Sequence, residues 1–123
     1  MTTVLLVDAP LAVRQALRTR LSLEPDLAII GEADDPLLAI SLAQKLEPDV
    51  VLLDAEAPAL DASRVVHALT EQDAHGGIVV LTQHTAGLST ALKDTPAIVI
   101  GKHQGLAPLV GAIRSAPRRS QSW

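Results

Sequence analysis

Residues 49–63 read DVVLLDAEAPALDAS. Val50 to Leu53 form an unbroken apolar run without polar alternation, the pattern of a strand covered on both faces. The run ends on a carboxylate, Asp54, and a proline-bearing loop follows with a second one, Asp61. A strand buried on both sides belongs in a parallel sheet with helices above and below. An acid at its carboxyl end then stands where such sheets bind ligands.

Similar runs recur at Val4 to Val7, Leu27 to Ile30, Ile78 to Leu81 and Ala97 to Ile100. The segments between them follow another period. From Leu11 to Leu23, Val13, Leu17 and Leu21 recur every four residues with arginines on other faces, which predicts an amphipathic helix. In ADDPLLAISLAQKLEPD, Asp34 or Asp35 can cap a second helix, Pro36 suits its first turn and Pro48 lies beyond its end. A third starts near Asp61 with Val65, Val66 and Leu69 inward. A fourth, about Thr85 to Lys93, is weaker, with Gly87 and few large apolar residues. A fifth runs from Leu106 to Ser115 with Leu109, Val110 and Ile113 inward. Alternating strands and helices predict an α/β fold, a (βα)5 doubly wound parallel sheet. The domain is expected to span 1–116, with 117–123 (PRRSQSW) a frayed tail or the start of a linker.

The composition narrows the function. The core must be aliphatic, because there is no Phe or Tyr and the one Trp is residue 123. A net charge of −4 gives no electrostatic reason to expect direct contact with nucleic acid or an anionic membrane. The basic cluster Arg114, Arg118, Arg119 reads as a solvated tail. The absence of Cys excludes disulfides and is compatible with the cytoplasm. MTTVLLVDAP is no signal peptide, and no apolar run is long enough to cross a bilayer.

Strand ends carry the chemistry. Asp8 follows the first strand, Gly31-Glu32 the second, Asp54 the third, Thr82-Gln83-His84 the fourth and Gly101-Lys102-His103 the fifth. In the flavodoxin-like order 2-1-3-4-5, the strand order reverses between the first and third strands, so Asp8 and Asp54 face each other there. Paired carboxylates favour a shared divalent cation such as Mg²⁺. A carboxylate can also attack phosphorus, while Thr82 could donate to a phosphoryl oxygen and Lys102 neutralise another. His67 and His75 read as surface residues. His84 and His103 belong at the crevice rim, with no recognisable metal spacing.

With LLVD at 5–8, GEADDPLLAISLAQKLEPDVVLLD at 31–54, VVLT at 79–82 and Lys102, the chain resembles the receiver domains of two-component response regulators. The likeness is strongest to those joined to LuxR-type helix-turn-helix domains. It implies that Asp54 accepts a phosphoryl group, Thr82 is the switching hydroxyl and Lys102 binds the phosphate. It also implies a histidine kinase upstream and, downstream, an output domain or partner protein, such as a helix-turn-helix domain, that controls transcription. The chain would be a signalling domain, not an enzyme beyond self-phosphorylation; homodimerisation is left open.

The sequence departs from that family in places. Receivers carry an acidic pair after the first strand, and here it reads Asp8-Ala9. Mg²⁺ would fall to Asp8, Asp54 and Glu56, with Glu56 partly standing in for Ala9 and binding weakened. Val99 stands where receivers have the Tyr or Phe ring that turns inward on activation, and the loop before it reads DTPAI. The chain thus reads as an atypical receiver. The alternative is a pseudo-receiver, a docking or dimerisation module independent of phosphorylation.

Overall fold

The computed structural model describes residues 1–7, 11–55, 62–71 and 76–116, without the side chains of Leu11 and Val13. Expectations at Asp8, Ala9, Glu56, Asp61, Val13, His75 and the 117–123 segment therefore fall outside the described residues.

Five strands, β1 (Thr2–Val7), β2 (Leu27–Ala33), β3 (Val50–Asp54), β4 (Gly77–Thr82) and β5 (Ile98–Gly101), form one sheet in the order β2-β1-β3-β4-β5. All its pairings are parallel. Between them run α1 (Leu11–Leu21), α2 (Pro36–Leu46), α3 (Ala62–Glu71) and α4 (Thr85–Ala91), and α5 (Leu106–Ser115) closes the series. This is the doubly wound α/β fold that the alternating pattern predicts.

The unbroken apolar runs have a direct structural cause. Alternate residues of a strand point to opposite faces, and here both faces are covered. Leu5, Val7, Val51, Leu53, Ile78 and Val80 pack with Ala39 and Ala43 of α2 and Val65, Val66 and Leu69 of α3. Val4, Leu6, Val50, Leu52, Val79 and Leu81 pack on the other side with Leu21 of α1 and Leu109, Val110 and Ile113 of α5. The sheet therefore separates two aliphatic clusters.

Element ends follow local hydrogen bonding. The Asp35 carboxylate accepts from the Leu38 N–H at 2.9 Å, capping α2 one residue before Pro36. At the other end Glu47 takes a left-handed conformation, φ 48°, and Pro48 follows. α1 stops at Leu21, short of Leu23. The Leu23 and Glu24 N–H groups turn back to the Arg20 and Leu21 carbonyls, and Leu23 is left exposed ahead of Pro25. α4 stops at Ala91 rather than Lys93, in a turn where the Thr95 N–H reaches the Leu92 carbonyl at 2.9 Å. β5 begins at Ile98, since the Ala97 N–H is directed to Thr95 Oγ1, 3.3 Å away.

β2 is longer than its apolar run. It continues through Gly31-Glu32 to Ala33, so these residues are strand rather than the loop expected after Ile30. Its register against β1 shifts between Val4↔Ile29 and Leu5↔Gly31, which leaves Ile30 as an extra residue in a bulge.

Candidate functional site

Three described side chains named from strand ends lie along one edge of the sheet. Asp54 is the last residue of β3 and pairs with Leu81. Thr82, the next residue, ends β4 and pairs with Gly101, the last of β5. Lys102 follows at once, opening a 3₁₀ turn over Lys102–Gln104. Parallel pairing therefore brings residues 54, 82 and 102 to the same end of three neighbouring strands.

Asp54 and Lys102 are joined directly. The Lys102 ammonium lies 2.9 Å from Asp54 Oδ1 and donates to Oδ2 at 3.1 Å, so one cation serves both oxygens. Asp54 is only 2% exposed. A carboxylate this buried needs a charge partner, and Lys102 provides it. Behind it the Ala55 N–H bonds the Leu81 carbonyl at 2.9 Å, which fixes the chain as it leaves the strand.

Thr82 is equally buried. Its Oγ1 accepts from the His84 N–H at 2.9 Å, a local turn that holds the hydroxyl oxygen. The His103 ring lies over Gly101: a Cβ there would fall 2.6 Å from its Cε1. Gln104 Oε1 accepts from the Gly101 N–H at 3.2 Å. His84 and His103 are exposed, as expected of rim residues. Gln104 was missed by the sequence reading, and a glutamine in a polar turn carries no signal that could have found it.

Glu32 belongs to a separate cluster. It meets Arg14 of α1 at 3.2 Å and Arg18 at 2.7 Å, so its carboxylate is engaged at β2, one strand outside β1. His67 is not a bare surface residue. Its Nδ1 lies 2.7 Å from the Ser63 carbonyl and its Nε2 3.5 Å from Asp94 Oδ1.

The donor chemistry suits a hard cation in kind, since carboxylate oxygens are the ligands Mg²⁺ takes. Among the described residues the site supplies one carboxylate, Asp54, already facing an ammonium, and no group of three His, Cys, Asp or Glu converges to hold a metal. Asp8 follows Val7, the β1 residue paired with Leu53 beside Asp54, but Asp8 and Glu56 lie outside the described residues.

Comparison with known proteins places this architecture. The family model for the response regulator receiver domain matches residues 4–114. The chain belongs to this family. The receiver is 34% identical over 93 residues to the nitrate/nitrite response regulator NarL of Escherichia coli K12, covering 74% of this chain and 43% of that protein. It is also 30% identical to protein-glutamate methylesterase/protein-glutamine glutaminase 3 of Shewanella oneidensis, over 98% of this chain and 37% of the relative. The receiver thus spans less than half the length of these relatives. Among solved structures, a LuxR-family two-component response regulator from Aurantimonas sp. SI85-9A1 superposes with a TM-score of 0.82 at 26% identity, covering 93% of this chain and 83% of that one. The response regulator domain of Thermotoga maritima CheB gives 0.80 at 26%, covering 94% and 95%. A receiver is a signalling domain, and receivers bind Mg²⁺ at their phosphorylation site. Among the described residues no helix is long and apolar enough to cross a membrane.

Proposed function

We propose that this receiver accepts a phosphoryl group on Asp54 from a histidine kinase and passes the change to an output domain or partner protein. The observation that carries this reading is the Lys102 ammonium against both oxygens of a buried carboxylate at a strand end. An Asp54 oxygen attacks phosphorus, the bond from phosphorus to the donor breaks, and its electron pair leaves with the donor. Lys102 gives up its hold on that oxygen and moves to an oxygen of the phosphoryl group, balancing the charge that arrives. Thr82, whose Oγ1 accepts from the His84 N–H, carries a hydroxyl proton that can turn to a second phosphoryl oxygen once the group is attached.

Asp8, Asp54 and Glu56 would hold Mg²⁺, which, when bound, neutralises charge between carboxylates and phosphoryl group. With Ala9 where receivers carry a second acid, binding is weaker than in receivers with the full pair. The receiver spans 1–116, with 117–123 a tail or the start of a linker. By likeness to NarL and LuxR-type regulators, the output is a helix-turn-helix domain controlling transcription in the cytoplasm. The receiver itself touches neither nucleic acid nor membrane.

Incubation with acetyl phosphate and excess Mg²⁺ should add one phosphoryl mass to the protein, and none to Asp54→Asn. An adduct that survives in the variant would overturn the assignment. A second reading, a phosphorylation-independent docking or dimerisation module, is favoured by one feature. Val99 is a short side chain beside an open cavity of about 190 Å³ lined by Ser89, Leu92, Lys93 and Thr95. No adduct on the unaltered protein under these conditions would support that reading.

A further inference from the structure

We propose that His67 and Asp94 form a proton-gated tie between α3 and the turn that follows α4. The argument starts from hydrogen-bond roles. The Ser63 carbonyl lies 2.7 Å from His67 Nδ1, and a carbonyl can only accept, so Nδ1 carries the proton. In a neutral imidazole with Nδ1 protonated, Nε2 is a bare lone pair. That lone pair would face the Asp94 carboxylate, 3.5 Å away, acceptor against acceptor. Only the imidazolium, with a proton on both nitrogens, makes this contact attractive. At 3.5 Å it is a charge contact rather than a close hydrogen bond.

The surroundings favour the charged ring. Its pKa is raised above the ordinary 6.5, first by the Ser63 carbonyl, then by Asp94 and by Glu71, one turn further along α3; partial burial opposes them. The charges acting on it are thus Asp94 from the turn and Glu71 from its own helix, both negative. A folded-state pKa above the unfolded value means that the tie is fully present below about 6.5 and is lost as pH rises through the folded value.

Asp94 is presented by a turn closed by two hydrogen bonds. Thr95 N–H and Oγ1 both donate to the Leu92 carbonyl, at 2.9 and 2.7 Å, and Leu92 is buried. α4, just before it, has no buried residue and no side-chain cap. A tie at its carboxyl end therefore acts on the helix least held by packing, and deprotonation loosens α4 while the sheet stays intact.

The test is amide hydrogen exchange across Leu88 to Thr95 at pH 6 and pH 8, corrected for intrinsic rates, with NMR titration of the His67 ring. Protection in this segment should fall on the order of two- to fivefold between the two pH values, the ratio an exposed ion pair supports. Asp94→Asn, at a mostly exposed position that does not threaten folding, should abolish the difference and move the ring's midpoint to lower pH. Glu71→Gln should shift the midpoint but keep the difference. An unmoved midpoint in Asp94→Asn, a pH dependence that persists there, or one that vanishes in Glu71→Gln would each overturn the tie.

Discussion

At Asp54 solvent barely reaches a carboxylate that one ammonium serves on both oxygens. Removing that ammonium takes the facing charge away from a buried acid, which costs more than the pair itself is worth. Lys102→Met should therefore destabilise the receiver by about 1–3 kcal/mol. In the Asp54→Asn background the same change should cost far less, a coupling that urea unfolding of the two single variants and the double variant reads directly. Additive costs would mean that Lys102 stabilises through its stem rather than its charge. Asp54, Thr82 and Lys102 were legible because each follows an apolar run, and strand ends are where parallel sheets gather function. The 2.9 Å contact between Lys102 and Asp54 was not, since it depends on how β3 and β5 flank β4. Glu32 was misplaced for a physical reason: Gly31 resembles a strand stop, whereas here it lies close beneath Leu46 and Leu5 inside a bulged strand.

Helices differ in how much of their sequence the core dictates. α3 was readable from Val65, Val66 and Leu69, all buried, whereas α4 buries nothing and showed no apolar stripe to find. The two glycines near these elements make opposite predictions. Gly87, inside α4, has nothing within 4 Å of where a Cβ would sit. Gly87→Ala removes only backbone freedom and should stabilise the protein by about 0.5–1 kcal/mol. Gly76, at the entry to β4, would bring a Cβ to 2.1 Å from the Asp49 carbonyl oxygen and 2.8 Å from that of Pro48. Those are backbone atoms and cannot swing away. Gly76→Ala should cost about 1–3 kcal/mol. Thermal melts of both variants separate the two cases, and a loss in Gly87→Ala would show that α4 depends on its looseness.

Across the whole molecule, ion pairs stitch segments that the aliphatic clusters do not reach. Arg114, near the end of α5, donates to Asp26 at 2.8 Å through two nitrogens and to Glu24 at 2.8 Å, which joins the last helix to the loop before β2. The Arg114 guanidinium holds the Asp26 carboxyl down at about 2, from an ordinary 3.8. A lowered folded-state pKa stabilises above the unfolded value and is lost on acidification, so this contribution should vanish between about pH 4 and pH 2. Asp26→Asn should lower stability by a constant amount above that window, flatten the acid-unfolding curve within it and match the unaltered protein below it; an unchanged slope would mean that other carboxylates govern acid denaturation. A sequence reading that took Arg114 for part of a solvated tail had no means to see this, because its partners lie 88 and 90 residues away.

The Ile30 bulge has a consequence for how copies of the molecule meet. β2 is an outermost strand, and an outermost strand with a regular ladder invites edge-to-edge addition of another chain, the route to aggregation. An extra residue in that strand breaks the even spacing of its free N–H and C=O groups, so a second copy cannot continue the sheet in register. The opposite edge, β5, is only four residues long. With neither margin offering a long and regular template, extension of the sheet by a second copy is disfavoured at both sides.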